Sequence, residues 1–245
     1  MNLIVITTHK RDLELVVCLQ RILKQTEDCY FLIFQDGKGD YTNAMKLIKN
    51  YNHKWLSWEE AHGKENFYKV HHEIYKELKN IEFDKVHFIQ DDCLVVDGYF
   101  DTIEKVFENK EVEVLNTLTL NCHLRKFSGR KPKFSYNDFD LYIIQKLDCN
   151  YVARRSFFEK LEWIQIPISS NYDFRNGSGV GSHTTLRYLY ADGVVYNVLP
   201  SLLEHIGFES KIGNKINYES VKSVLKKEHL PFTKKENLGY KYNWL

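Results

Sequence analysis

Proline and glycine are scarce, at 4 and 12 in 245 residues, and no internal repeat or low-complexity tract interrupts the chain. Collagen-like, coiled-coil and disordered classes fall away on that composition. With 43% apolar and 27% charged residues the chain is ordinary globular material, long enough for one large domain with an appendage. Long apolar runs are missing too. The longest, Leu3-Ile4-Val5-Ile6 and Tyr30-Phe31-Leu32-Ile33-Phe34, have strand length and fall far short of the roughly 18 to 20 residues of a membrane helix. Nor is there an excess of one charge: 34 Lys+Arg against 33 Asp+Glu leave +1, which excludes a surface that attracts polyanions everywhere. The five cysteines, Cys18, Cys29, Cys93, Cys122 and Cys149, are odd in number and form no Cys-x-x-Cys pair. A disulfide framework or zinc knuckle is therefore not expected, and the thiols read as reduced, mostly buried hydrophobes. The N-terminus enters a strand without the basic start, apolar stretch and small-residue cleavage site of a secretory signal, so a soluble cytoplasmic protein is expected. Aromatics are plentiful at 14%, and a core takes them first.

What is present is a repeated β-α order over the first hundred residues. Leu3-Ile4-Val5-Ile6-Thr7 reads as a strand buried on both faces, residues 12–24 as a helix, residues 30–34 as the second strand, 44–51 as a short helix, 54–57 as a third strand and 66–78 as a further helix. Val86-His87-Phe88-Ile89 reads as a central strand running into Gln90-Asp91-Asp92-Cys93. This alternation predicts an α/β fold with a mostly parallel sheet flanked by helices. Beyond a helix at 101–109, the sequence predicts a strand at 112–120, a long basic and aromatic loop at 125–140, and a strand at 149–153. A short helix at 156–161, an irregular glycine-containing loop at 171–182, a helix at 184–189 and a last strand at 194–198 follow. The final 35 residues carry eight lysines against three glutamates and are locally +5.

In an open α/β sheet, ligands bind beyond the carboxyl ends of the strands. Here those positions hold Thr7-Thr8-His9-Lys10-Arg11, Gln35-Asp36-Gly37 and Gln90-Asp91-Asp92. Hydroxyl and cationic donors, a carboxylate beside a glycine, and two adjacent carboxylates together describe a site for a nucleoside diphosphate held through a divalent cation. The Asp pair is the most informative, because two like charges closing a strand cannot enter an apolar core unpaired.

At these residues the sequence resembles the nucleotide-sugar glycosyltransferases of the GT-A fold, especially family-2-like members. The ordered set that carries the likeness is Val5 to Arg11, Phe34-Gln35-Asp36-Gly37, Phe88 to Asp92, Tyr151-Val152-Ala153-Arg154-Arg155-Ser156-Phe157-Phe158, and Ser201-Leu202-Leu203-Glu204-His205-Ile206-Gly207. The resemblance implies a catalytic domain over residues 1–210, with a nucleotide-sugar half (1–100) and an acceptor half (101–210), and a basic tail over 211–245 packing on or near the active site. It implies that Asp36 contacts the nucleotide base and that Thr7, Thr8 and Arg11 line the nucleotide. Gln90-Asp91-Asp92 matches the Asp-x-Asp motif, with Asp92 in the metal-ligating slot for Mn²⁺ or Mg²⁺ and Gln90 replacing the first carboxylate. His205 matches a late histidine of the metal shell, with Ser210 and Lys211 facing the diphosphate.

Lys64, before a helix, is expected to touch phosphate or sugar. Gly179 belongs to the loop that faces the acceptor in this family. Where an acid pair is expected there, this sequence has Val180, Gly181 and Ser182, which leaves Asp173 as the candidate general base and His183 as another candidate. Arg130 and Lys131 are expected to contact an anionic acceptor. The expected activity is metal-dependent transfer of a sugar from a nucleoside-diphosphate sugar, UDP-linked, to an acceptor hydroxyl. Two alternatives stay open: a phage-type DNA glycosyltransferase acting on a hydroxymethylated base, for which the basic aromatic loop would bind DNA, and a nucleotidyltransferase of similar fold. The latter would carry a Gly-rich loop after the first strand, which Thr-Thr-His-Lys-Arg does not supply.

Overall fold

The computed structural model describes residues 1–119, 129–174 and 177–206. The expected boundary at residue 210, the tail over 211–245, and Arg125, Lys126 and Phe127 lie outside the described residues.

The N-terminal half forms where the periodicity places it. Strand β1 (Asn2–Thr8), helix α1 (Asp12–Leu23), β2 (Cys29–Gln35), α2 (Thr42–Ile48), β3 (Asn52–Ser57), α3 (Gly63–Lys79) and β4 (Lys85–Gln90) follow one another. The four strands lie parallel in the order β3-β2-β1-β4. Alternation divides β1 between two apolar layers: Ile4 and Ile6 pack with Leu15, Leu19 and Ile22 of α1, whereas Leu3 and Val5 pack with Val70, Ile74 and Leu78 of α3. Burying each such side chain contributes about 1.5–3 kcal/mol, so both faces of the sheet need a helix cover.

The second half adds β5 (Cys93–Val95), α4 (Tyr99–Phe107), β6 (Val114–Asn116), β7 (Phe134–Ser135), β8 (Asp140–Ile144), β9 (Tyr151–Arg154), α5 (Arg155–Lys160), α6 (Val180–Tyr190), β10 (Val195–Leu199) and β11 (Leu203–His205). Among the described residues the main sheet has nine strands, ordered β3-β2-β1-β4-β9-β6-β10-β8-β7. Seven point the same way; β9 and β8 are reversed. A separate antiparallel ribbon pairs β11 with β5.

Several expectations change here. The loop expected over 125–140 contains β7, a two-residue edge strand whose polar alternation gives no period to read. The glycine-containing loop ends at Gly179, left-handed at φ 74°, and α6 starts at Val180 rather than at 184. The strand expected over 112–120 is regular only at Val114–Asn116. Beyond it the ladder gives way to single bonds to distant segments, Thr117 N–H donating to the Asn150 carbonyl (3.1 Å) and Thr119 N–H to Ser201 Oγ (3.0 Å). Strands β5 and β11, three residues each, are too short to show a period. No helix among the described residues is long and apolar enough to cross a membrane.

Candidate active site

Strand order brings the carboxyl ends of β1, β2 and β4 side by side, and their last residues meet in one hydrogen-bonded cluster. Thr7 is paired in register with Phe34 and Gln90. Thr8 Oγ1 donates to Asp91 Oδ2 (2.7 Å) and lies 3.0 Å from the Tyr41 hydroxyl. The His9 N–H reaches the same carboxylate at 3.4 Å. Burial pushes the Asp91 carboxyl up to about 6, opposed by the Arg11 charge and these hydrogen bonds. Asp91 therefore organises the floor of the cluster, while its neighbour Asp92 turns to Arg11 and His205.

Asp36 closes β2. Its N–H donates to the Thr8 carbonyl (2.9 Å) and its Oδ1 accepts the His62 N–H (3.0 Å). Gly37 follows at φ 84°, and a Cβ there would lie 2.9 Å from the Ala61 nitrogen, so both the backbone angle and the close approach require glycine. Lys64, in the first turn of α3, donates Nζ to the Phe174 carbonyl (3.2 Å), and burial lowers its pKa. That bond joins the helix start to the segment bearing Asp173, which is exposed. Gly179 caps α6 on the same side.

The two residues expected to share a cation come together. The ribbon sets His205 opposite Cys93, and the Ile206 N–H donates to the Asp92 carbonyl at 2.8 Å. His205 Nε2 consequently lies 3.3 Å from Asp92 Oδ2. Asp92, Cys93 and His205 each offer one ligand atom, all within 4.8 Å of one another. Burial and the nearby Asp148 charge drive the Cys93 thiol far up, so it stays protonated and is a poor ligand. Burial lowers His205, which keeps the imidazole neutral and able to coordinate. A carboxylate oxygen and an imidazole nitrogen remain, a donor pair that fits a divalent cation completing its shell with water or phosphate oxygens. Arg11 competes for this place. Its Nη1 is paired with Asp92 Oδ2 and lies 3.4 Å from Asp91 Oδ1.

Arg130 and Lys131 are exposed and lead into β7, five strands from β4, on the order of 25 Å at the usual strand spacing. The structure does not bring them to the Asp92–His205 cluster. Ser210 and Lys211 lie outside the described residues. His71 and His72 divide as their lack of metal spacing suggests: His71 is packed in the core and His72 is half-buried, accepting the Gln165 N–H at 3.3 Å.

One group that the sequence did not single out stands at the same edge. Asp148, in the segment leading into β9, exerts the strongest charge influence on both Cys93 and His205. Its neighbour Asn150 grips Gln90 twice: Gln90 N–H donates to Asn150 Oδ1 (2.8 Å), and Asn150 Nδ2 donates to Gln90 Oε1 (2.7 Å). Reading only the residues after each strand misses this segment, because β9 runs antiparallel and presents its start, not its end, to the site.

No protein-family model and no curated protein matches the chain. Solved structures do. TarS from S. aureus, a glycosyltransferase of the GT-A fold, superposes with a TM-score of 0.56 at 12% identity, covering 83% of this chain and 36% of that one. Its 1–349 fragment gives 0.53 at 12% identity, and the same fragment in complex with UDP gives 0.54 at 14%, each covering 83% of this chain and 59% of the other. The chain thus adopts the GT-A fold and spans less than two thirds of the length of these neighbours.

Proposed function

We propose that this protein is a glycosyltransferase that moves a sugar from a nucleoside-diphosphate sugar, UDP-linked, to an acceptor hydroxyl, with Mn²⁺ or Mg²⁺ as cofactor. The observation that carries this reading is the meeting of Asp92 and His205 at the carboxyl end of β4, beside Thr8, Arg11 and Asp36. The UDP-bound neighbour of the same fold supports the choice of nucleotide. Asp92 and His205 would hold the cation, which when bound supplies neutralisation of the leaving diphosphate.

The chain's own groups do the rest. Asp36, fixed by the His62 N–H, presents its carboxylate to the base and ribose. Arg11, at the start of α1, offers a bidentate cation to phosphate. Thr7 and Thr8 line the floor, Gln90 is held by Asn150 for a neutral contact to the donor, and Lys64 closes the side toward the acceptor loop. Asp173 and Gly179 belong to that loop, and Ser210 and Lys211 are assigned to the diphosphate by the resemblance alone. The free thiols among the described residues, Cys18, Cys29, Cys93 and Cys149, suit a reducing cytoplasm.

Calorimetry of UDP with and without Mn²⁺ tests the reading. UDP affinity should rise with metal in the parent protein and lose that coupling in Asp92→Ala and His205→Ala. Equal UDP affinity with and without metal in the parent would remove the cation from the site.

Arg130 and Lys131 support an extended, anionic acceptor, because they stand so far along the sheet from Asp92. Glycan is the leading candidate and hydroxymethylated DNA the alternative; screening both with several nucleotide sugars separates them. Charge reversal at Arg130 and Lys131 should raise the acceptor's KM, most at low salt, and leave UDP release to water unchanged. Equal loss of both activities would place these residues elsewhere than on the acceptor path.

A further inference from the structure

Inverting sugar transfer needs a carboxylate within reach of the acceptor hydroxyl, and the first turn of α6, Val180-Gly181-Ser182, has none. The structure shows what stands there instead. A Cβ on Gly181 would fall inside the Leu147 carbonyl, so the backbone at residues 147 and 148 occupies the space that a larger residue on α6 would take. That segment ends in Asp148. We propose that Asp148 is the carboxylate that accepts the proton of the acceptor hydroxyl, supplied from the approach to β9 in place of the missing acid on α6. The proposal rests on the glycosyl-transfer reading above.

Three further observations support this role for Asp148. Strand β9 pairs antiparallel with β4, Phe88 opposite Tyr151, and beyond that last pair the Gln90 N–H bonds the Asn150 side chain. The paired bonds between Asn150 and Gln90 hold the segment against the end of β4, and Asp148 N–H is tied to Asn116 Oδ1 at 2.8 Å. Second, Asp148 is half-buried and uses its two oxygens differently. Oδ1 accepts from Cys149 N–H (2.7 Å) and Asn150 Nδ2 (3.3 Å), whereas no hydrogen bond reaches Oδ2 among the described residues. The first oxygen fixes the carboxylate and the second remains open to an incoming hydroxyl. Third, residue 148 lies against the first turn of α6, its carbonyl carbon 3.5 Å from where a Cβ on Gly181 would stand. The segment therefore lies between the end of β4 and the start of α6.

In the step, the acceptor O–H proton passes to Asp148 Oδ2 while the acceptor oxygen forms a bond to the anomeric carbon. The bond from that carbon to the diphosphate oxygen breaks, and its electron pair leaves with the nucleoside diphosphate. Attack opposite the leaving group inverts the anomeric configuration.

The test compares the parent with Asp148→Asn, Asp148→Ala and Asp173→Asn. It measures UDP binding by calorimetry, thermal melting, and UDP release from UDP-glucose, UDP-galactose and UDP-N-acetylglucosamine with water as acceptor. Asn keeps the bond from Cys149 N–H, so Asp148→Asn should melt and bind UDP like the parent yet release UDP roughly 100-fold more slowly or worse. Sodium azide, a nucleophile that needs no base, should restore turnover to Asp148→Ala and yield a glycosyl azide of inverted configuration. Near-parental turnover in Asp148→Asn, collapse in Asp173→Asn alone, or loss of UDP affinity together with rate would each overturn the assignment. If the parent neither binds UDP nor releases it from any donor, the glycosyl-transfer reading itself fails and takes this proposal with it.

Discussion

Arg11 has a double setting. It occupies the position before α1, where a cation meets the positive end of the helix dipole, and its guanidinium is held there by Asp91 and Asp92. A charge-assisted pair of this kind is worth about 1.5–3 kcal/mol, enough to change cation affinity roughly tenfold or more if it must break first. In the absence of nucleotide, Arg11→Ala should therefore bind Mn²⁺ more tightly than the parent, and in the presence of metal it should bind UDP more weakly. Titration of Mn²⁺ by electron paramagnetic resonance, with and without UDP, reads both. Weaker Mn²⁺ binding by the variant would mean that Arg11 supports the carboxylates rather than competing for them.

At the scale of elements, the fit between α6 and the segment before β9 determines where Asp148 sits. Gly181→Ala adds one methyl against the Leu147 carbonyl, a backbone group that cannot swing aside as a side-chain tip can. Overpacking of this sort costs typically about 1–3 kcal/mol. The variant should melt lower and, because the strain falls on residues 147–148, should lose turnover while UDP affinity remains. A variant that loses UDP affinity first would show that the strain travels to β4 instead.

The same elements show what the sequence made legible. β1, β2 and β4 were readable because strands buried on both faces are continuous apolar runs, and the polar residues ending them stood out as site candidates. Thr8, Asp36, Asp91 and Asp92 indeed meet at one edge. The physical route by which His205 arrives was not readable, since a three-residue ribbon carries no period. Asp148 was hidden for a different reason: periodicity finds a strand but not its direction, and direction decides which end faces the ligand. The pair Arg154-Arg155 illustrates the converse. Arg154 ends β9 and Arg155 opens α5 at the far edge, where Arg154 binds Asp84 and the Phe107 carbonyl and Arg155 binds the Ile81 carbonyl.

At the scale of the whole molecule, His71 and His87 are core histidines that folding must keep neutral. His71 lies among Phe67, Tyr75 and Phe88 with neither ring nitrogen bonded among the described residues, and burial pushes its pKa down to about 4. His87, whose Nδ1 is 3.2 Å from the Tyr99 hydroxyl, is pushed down to about 3, chiefly by burial. Below the ordinary histidine value of about 6.5 the unfolded chain takes up protons that the folded chain refuses, so each residue subtracts stability as pH falls from 6.5 toward its lowered value. Asp91 opposes this, because its raised pKa lets the folded state gain a proton over part of the same range. Comparing two proteins that both carry Asp91 removes that contribution. His71→Leu, close in volume and without a titrating group, should match or exceed the parent's stability at pH 7. At pH 4.5 it should retain about 2–3 kcal/mol that the parent has lost, the cost of two pH steps below 6.5 for one buried imidazole. Urea unfolding at the two pH values measures the difference. Parallel losses in parent and variant would mean that His71 is protonated in the folded core, with a partner that compensates its burial.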